Sequence, residues 1–286
     1  MPQSPVSGLF QWLKYGTGAS ADSATGLVDG GDLNINPDLR KRLGIGGTEI
    51  RRGGVVVPMG SASMYVTDTN QALFAAGLRA SYPRGALTEL EFAGGTDAWQ
   101  LLYHDAVITD LALDYVRGDG LKGTVNWGAM TPGYSATGSS QAEEANESIE
   151  DYEFVITFED SEYYVNECRI AIANNVEFYT SGNTKAAGFE RCPTHRTYGA
   201  EILTVGFNTD IPLPIGTLGL YDQDMPTDLG IVLTGTGNDN TITLTLANLA
   251  PSEAVAMNMV DHSTIVGWAS GFAGSSWAGS LTWGWA

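Results

Sequence analysis

The feature that most constrains the fold of this chain is a short phrase that occurs twice. Residues 123–129 read GTVNWGA, and residues 279–285 read GSLTWGW. Glycine, a hydroxyl residue, an aliphatic residue, a polar residue, tryptophan and glycine therefore follow one another in the same order, 156 positions apart. Such self-similarity indicates an internal repeat, which decides the interpretation of everything else in a chain.

Further pairs of segments recur upstream of this phrase, in the same order in both parts of the chain. The pairs are 33–39 with 170–176, 60–68 with 199–207, and 96–105 with 238–248. The alternating segment 105–116 has its counterpart in 252–268. We therefore predict two copies of one domain at 30–130 and 151–286, preceded by an N-terminal arm (1–29) and joined by an acidic, Ser/Gly-rich linker (131–150).

These recurring segments have the period of β-strands. Residues 241–246 alternate between a hydroxyl face (Thr241, Thr243 and Thr245) and an apolar face of isoleucine and leucine. Gly-rich turns such as 118–120 and 237–239 separate the segments at short intervals, as antiparallel hairpins require. The predicted fold class is mostly β: two tandem antiparallel β-sandwich or partial-barrel domains, each with a short helix.

The helix of the first copy is predicted near residues 69–78. Asp68 or Thr69 is placed to cap its N-terminus, and Leu73, Phe74 and Leu78 give it one apolar side. The matching segment of the second copy, 210–221, contains two prolines, which favours a shorter, broken helix.

Charge is abundant, acidic and unevenly distributed. The chain has 14 Lys+Arg against 33 Asp+Glu, for a formal net charge of −19. Residues 131–286 hold 20 of the acids and 4 of the bases, and no Lys or Arg follows Arg196. A surface that grips nucleic acid needs basic patches, so this balance argues against that class and favours a surface that repels polyanions.

Targeting signals and catalytic motifs are weak or missing. No apolar run is long enough to span a membrane, and the N-terminus lacks the pattern of a secretion signal. Of the three histidines, His104 is interpreted as a surface residue and His262 as a turn residue, and His195 is considered with the cysteines below. No nucleophile elbow or calcium-loop pattern is complete, so we predict neither an enzyme nor a cofactor or metal.

Two cysteines, Cys168 and Cys192, are interpreted as packed, reduced thiols of a protein that folds in the cytoplasm. Two alternatives stay open. The spacing of Cys192 and His195 fits half of a zinc site, with Cys168 and His262 as the remaining candidates. A disulfide between the two cysteines is the other.

Two blocks of sequence carry a resemblance to a known family. The first is IAIANNVEFYTSGN followed by TYGAEILTVGF in the second copy, and the second is DAVITDLALDYVRGDGLKGTVNW in the first copy. Both are similar to the strand, Asn-Asn, aromatic-turn block and to the closing hairpin of the tail tube proteins of long-tailed, non-contractile phages and related archaeal viruses. The loop 183–198 is longer than that pattern.

This resemblance implies a structural virion protein. Tube proteins of this type form rings in which strands of neighbouring chains complete a barrel, and the rings stack into a conduit for genome DNA. A duplicated chain would need three copies for a pseudo-hexameric ring. The implied partners are further copies of the chain and other tail proteins at both ends of the tube, without a membrane; the implied location is the virion tail, and the host cytoplasm during assembly.

Within that expectation, the polar strand faces are candidates for the lining of the tube. Asp110 and Asp114 share one face of 105–116, and Thr241, Thr243 and Thr245 form the hydroxyl face described above. A negative lining would keep DNA off the wall, although these faces alternatively point outwards. The basic residues Lys185, Arg191 and Arg196 are candidates for contacts with an acidic segment, 143–162, of an adjacent ring.

Two other readings compete with the tube protein. One is another ring protein of the tail, such as a terminator or distal-tail component, which the internal repeat disfavours. The other is a tandem β-sandwich adhesin or carbohydrate-binding module, which would want a secretion signal and exposed aromatic platforms.

Overall fold

A computed structural model describes most of the chain. The described residues are 12–18, 20–26, 28–35, 39–44, 47–52, 55–67, 69–79, 85–96, 98–136, 153–158, 161–180, 191–199, 202–209, 229–237, 240–251, 256–257, 264–270, 272–273, 276–277 and 280–285.

The described part of the first half, within residues 12–136, contains ten strands and one helix. In chain order these are β1 (Trp12–Gly16), β2 (Ser23–Ala24), β3 (Val28–Ile35), β4 (Leu39–Gly44), β5 (Gly47–Arg52), β6 (Pro58–Tyr65), α1 (Gln71–Ala76), β7 (Leu90–Thr96), β8 (Trp99–Val116), β9 (Gly120–Gly128) and β10 (Thr131–Ser135).

The second half, residues 153–285, contributes twelve described strands. They are β11 (Glu153–Phe158), β12 (Ser161–Ala173), β13 (Val176–Tyr179), β14 (His195–Tyr198), β15 (Ile202–Thr209), β16 (Leu229–Gly237), β17 (Asn240–Pro251), β18 (Ala256–Met257), β19 (Thr264–Ser270), β20 (Phe272–Ala273), β21 (Ser276–Trp277) and β22 (Ser280–Trp285). The predicted mostly-β, antiparallel fold class is therefore confirmed. The segment predicted as a second, broken helix, 210–221, lies outside the described residues.

Sixteen strands form one curled antiparallel sheet that resembles half of a barrel. Its centre is β8, an 18-residue strand that belongs to two neighbourhoods. Residues 99–106 pair with β7, and 100–104 also with β10, whereas residues 107–116 pair with β9 and 110–116 also with β12. Near the end of the first stretch, Asp105 has a left-handed φ of 51° at a β-bulge, which bends the strand.

Each half pairs its strands in a definite order. In the first half the order across the sheet is β1, β7, β8, β9, β6, β3. In the second half the order is β11, β16, β17, β19, β15, β12. The strand β1 comes from the segment that the sequence assigned to an N-terminal arm, and Trp12, Leu13 and Tyr15 of β1 are buried.

The helix α1 covers the apolar face of the sheet. Leu73 and Phe74 are fully buried, as predicted from their spacing. The N-cap is Asn70, one residue after the predicted Thr69, and it makes no side-chain cap bond. Its amide instead donates to the carbonyls of Thr25 and Tyr65. These hydrogen bonds of a buried side chain connect the start of the helix to the sheet.

The core is densest around Trp127. Its ring is completely buried and stacks on Phe92 with centroids 4.2 Å apart, while Tyr103 meets it edge-on at 6.1 Å. A Cβ atom at Gly60 on the paired strand would lie 2.2 Å from this indole, so β6 needs a glycine opposite it.

The two copies of the Trp-Gly phrase occupy different places in the sheet. Trp127 lies in β9, between β6 and β8. Trp283 lies in β22, which pairs with β17 residues 242–247, just as β10 pairs with β8 residues 100–104. The strand that pairs with both neighbours as β9 does is β19, which carries Gly267 and Trp268. The phrase therefore identifies a strand with one buried face, but it does not determine which neighbouring strands that strand pairs with.

Candidate functional site

One face of the curled sheet is lined by polar or small side chains. On β8, Asp110, Ala112 and Asp114 are exposed or half-buried, while the residues between them are buried in the core. Neighbouring strands continue this face with paired residues, since cross-strand partners project from the same side of a sheet. We call it the polar face; its other members on adjacent strands are Ser61, Ser63, Thr124, Asn126, Arg169, Ala171, Ala173 and Thr204.

The strand register brings the threonines predicted as a hydroxyl face onto this same face. The cross-strand partners form a row across four neighbouring pairs of strands. Ala112 is opposite Ala171, Ala171 is opposite Thr204, Thr204 is opposite Ala269 of β19, and Ala269 is opposite Ala250 of β17. Because β17 has a bulge between residues 246 and 249, position 250 is on the same side of the sheet as Thr241, Thr243 and Thr245. Of these, Thr245 is exposed and the other two are half-buried, while Leu244 between them is fully buried.

The charge on the polar face is mixed. Arg169 Nη1 lies 3.5 Å from Asp114 Oδ1, and both side chains are well exposed to solvent. Lys122, the cross-strand partner of Asp114, lies 3.4 Å from Asp119 and 3.8 Å from Asp29. A hydrogen bond with Tyr65 raises the pKa of Lys122, so the ammonium group stays charged. Asp110 is the most exposed of these β8 carboxylates.

The polar face is concave where the two halves meet. A shallow depression of about 510 Å³ is lined by polar residues, by alanines and by three aliphatic residues, of which Ile202 is half-exposed. The polar residues are Asp110, Asp114, Thr124, Asn126, Arg169 and Thr204, and the aliphatic ones are Leu111, Ile172 and Ile202. Alanines at 112, 171 and 173 leave this space open because they project only a methyl group.

The two halves are joined by main-chain pairing of β8 with β12. Seven residue pairs run from Val116 opposite Glu167 to Asp110 opposite Ala173. Immediately after β12, the buried Asn174 fastens the end of this pairing. Its amide donates to the carbonyls of Gly77 (2.9 Å) and Ile108 (3.1 Å) in the first half, and its backbone N–H donates to Thr109 at 2.7 Å.

A buried arginine completes this junction. Arg79, which follows α1 and is 5% exposed, donates from Nε to Asn174 Oδ1 at 3.2 Å and from Nη2 to the Asn174 carbonyl. Its Nη1 donates to the Gly85 carbonyl at 3.3 Å. Every nitrogen of this guanidinium therefore donates to an uncharged oxygen, which lets a charged group remain buried.

The sequence analysis missed both Arg79 and Asn174. An Asn-Asn pair at the end of a strand was one available signal, since Asn175 adopts a left-handed φ of 47° there. A turn of that kind lets the chain reverse while Asn174 points back into the junction.

The basic residues predicted for contacts between rings have different surroundings. Arg196, on β14, donates from Nη1 to the Asp105 carbonyl at 2.7 Å, and its Nη2 contacts Glu89 of the same chain. Its Nε donates to Tyr198 Oη at 2.7 Å. Arg191 is half-buried, and its carbonyl accepts from the Val56 N–H at 2.9 Å. Lys185 lies outside the described residues.

The described histidines and cysteines are dispersed. His104 Nδ1 lies 2.5 Å from Glu91, whereas His195 stacks on Tyr179 with ring centroids 5.5 Å apart. Cys168 and Cys192 are both buried and do not form a disulfide, as the packed-thiol interpretation predicted. Burial, followed by the nearby carboxylate of Asp114, raises the pKa of Cys168 to about 12. No group of three potential metal ligands occurs among the described residues; His262 is outside them.

Two strands of the large sheet, one in each half, have an edge without a partner strand among the described residues. Within the described part of the chain, β3 pairs with β6 alone. On the other side, residues 250–251 of β17 and the following β18 pair with β19 alone, again among the described residues. An unpaired edge presents free N–H and C=O groups to any matching strand.

Comparison with known proteins identifies no relative: no family model matches the chain, and no curated protein matches it. Across the described residues, none of the helices is both long and apolar enough to traverse a membrane.

Proposed function

We propose that this chain is a duplicated tail tube protein, three copies of which form a pseudo-six-fold ring that stacks into a DNA conduit. The observation that carries the proposal is the pairing of β8 with β12 inside one chain. Each half has six main strands: β1, β3, β6, β7, β8 and β9 in the first, and β11, β12, β15, β16, β17 and β19 in the second. The pairing joins the fifth strand of the first half, β8, to the second strand of the second half, β12. A ring of such halves needs that same junction to recur between chains.

The order of strand pairing supports the duplication. Numbering those six strands of each half in chain order, both halves follow the spatial order first, fourth, fifth, sixth, third, second. Six antiparallel strands can be ordered in many ways, so one shared order favours two copies of one fold. It is independent of the Trp-Gly phrase, whose two copies lie on non-equivalent strands.

Among the described residues, two strand edges without a partner strand supply what ring closure requires. In the second half, residues 250–251 of the fifth strand, β17, and the following β18 leave an outer edge that is the counterpart of the β8 edge that β12 occupies. The second strand of the first half, β3, is the counterpart of β12. Pairing β3 of one chain with β17–β18 of the next repeats the internal junction head to tail, and such a heterologous contact closes into a ring at a suitable rotation.

The polar face suits the lining of a conduit. Its concave surface carries mostly small, hydroxyl and charged side chains together with the exposed Ile202, and none of the described residues that line it has an aromatic ring on which bases could stack. The charged groups alternate in sign around Asp114 and Arg169, so repulsion of DNA rests on Asp110 and on the overall charge of −19.

Electron microscopy of negatively stained, purified protein tests the proposal directly. We expect hollow rings, or tubes of stacked rings, and a ring mass of three times 30.3 kDa by native mass spectrometry. Compact monomers at high concentration would contradict the proposal and favour the tandem binding module. A closed ring with a different number of chains would retain a ring protein but remove the pseudo-six-fold arrangement.

A further inference from the structure

The hairpin β4–β5 concentrates positive charge in an acidic protein. It forms its own two-stranded sheet, and it holds five of the 14 basic residues of the chain. Arg40 is directly opposite Arg51, and Arg42 is opposite Glu49. The basic residues of this hairpin are Arg40, Lys41, Arg42, Arg51 and Arg52.

A separate two-stranded hairpin of this composition gains stability from a counter-surface. An isolated two-stranded hairpin is marginally stable in water. Like charges on directly opposed positions, here Arg40 and Arg51, weaken it further. A counter-surface that supplies carboxylates would stabilise such a hairpin, because arginine and carboxylate groups form charge-assisted hydrogen bonds.

The second half of the chain contains a template for such docking. Its hairpin β13–β14 also lies between the second and third strands of its half, and it docks on the first half. Arg196 of β14 contacts Glu89 and donates to the Asp105 carbonyl. The Phe178 ring packs so closely on β9 that a Cβ at Gly128 would lie 2.7 Å from it.

We propose that β4–β5 docks in the same way on the second half of a neighbouring copy of this chain, with Arg51 and Arg52 contacting its carboxylates. Residues 151–286 offer 16 acids against 4 bases, so the charges are complementary. In the sequence, Asp228 directly precedes β16, as Glu89 directly precedes β7. This inference rests on the proposed ring, in which β3, which leads into β4, adjoins the second half of the next chain.

Charge reversal measures the contribution of this contact to assembly. Arg51→Glu with Arg52→Glu is expected to weaken ring formation at least roughly tenfold in a dilution series followed by mass photometry, at about 0.1 M salt. The single variants Arg51→Glu and Arg117→Glu form a matched pair, because Arg117 is an exposed arginine at the β8–β9 turn. We expect Arg117→Glu to change assembly less than about twofold. Equal weakening by both single variants would overturn the proposal.

Zero-length carbodiimide crosslinking identifies the partner surface. In mixed ¹⁴N- and ¹⁵N-labelled protein, Lys41 is expected to form amide links to carboxylates within residues 151–286 of a differently labelled copy. Links from Lys41 only within its own chain, or only to residues 1–130, would contradict the inference. Loss of binding to a short DNA duplex in the double variant, without any change in assembly, would assign the hairpin to nucleic acid and would likewise contradict it.

The outcomes separate this inference from the proposed function. If the double variant Arg51→Glu with Arg52→Glu forms rings as well as the wild-type protein does, the tube proposal stands and the docking role of the hairpin is removed. Absence of rings in the wild-type protein, together with Lys41 links between copies, would remove the ring and retain a hairpin that binds the acidic half of another copy.

Discussion

Arg79 and Asn174 form a buried hydrogen-bonded pair across the two halves of the chain. The Arg79 Nε donates to Asn174 Oδ1 at 3.2 Å, and the Asn174 amide donates onwards to Gly77 and Ile108. Buried partners such as Leu113 and Ile170 specify the register of β8 and β12 on the core face, whereas the paired side chains on the polar face are small or solvated. The Arg79–Asn174 pair also fixes the register at one end.

Replacing Asn174 by alanine is therefore expected to destabilise the protein by about 2–4 kcal/mol, because two carbonyls and a buried guanidinium lose a partner together. Urea denaturation followed by tryptophan fluorescence measures the change. Asn175→Gly is the matched control: Asn175 is exposed and left-handed, so glycine fits and the change should stay below about 0.5 kcal/mol. Similar losses in both variants would contradict this role of Asn174.

The close approach of β6 to the indole of Trp127 leads to a second prediction. Gly60→Ala would place a methyl group 2.2 Å from a ring that Phe92 and Tyr103 hold in place, at an expected loss of about 3 kcal/mol. Gly30→Ala, on the neighbouring strand, meets nothing within 4 Å and should change the free energy of unfolding by less than about 0.5 kcal/mol. Thermal unfolding of the two variants side by side decides the matter; a Gly60→Ala protein as stable as Gly30→Ala would show that the indole moves freely.

Local patterns in the sequence sufficed for the faces of individual strands. The alternation in 121–127 placed Leu121, Val125 and Trp127 on a buried face, and all three are buried. The helical spacing of residues 73, 74 and 78 put Leu73 and Phe74 on the core side of α1. These predictions succeed because the burial of one face follows from the period of the strand or helix itself.

Local patterns could not predict which strands pair or which residues meet at the junction, because those contacts join distant parts of the chain. The Trp-Gly phrase fits any strand that buries one face, so it did not distinguish β9 from β22. Residues 96–116 were read as two segments, yet β8 runs through both because Asp105 bends it without ending it. Arg79 and Asn174 gain their roles from each other, 95 positions apart, and no local pattern encodes that distance.

The buried thiol of Cys168 predicts a pH dependence. Its pKa rises from 9.0 in the ordinary case to about 12, so the folded protein keeps a proton that the unfolded chain releases. The resulting stability is fully present below pH 9 and is lost as the pH rises from 9 towards 12. Between pH 8 and pH 10.5, the free energy of unfolding should therefore fall more in the wild type than in Cys168→Ala, each compared with its own value at pH 8.

Burial raises the pKa of Tyr103 with the same sign, but that residue is common to both proteins and cancels in the comparison. Native protein should also leave Cys168 unmodified by a thiol reagent at pH 8, because little thiolate is present. An identical fall in both proteins, or rapid modification of native Cys168, would contradict the assignment.

Reversing the carboxylates of the polar face separates stability from conduit function. Asp110→Lys with Asp114→Lys should change stability by less than about 1 kcal/mol per site, since the Asp114–Arg169 pair is exposed and such pairs contribute little. Both lysines project from the concave face, where they would attract phosphates. Rings of this variant should therefore retain a short DNA duplex at low salt that wild-type rings do not, in a fluorescence anisotropy titration. Asp22→Lys with Glu177→Lys makes the same change at exposed positions outside the polar face. If that control binds the duplex equally well, the polar face does not line the passage, because net charge alone would account for the binding.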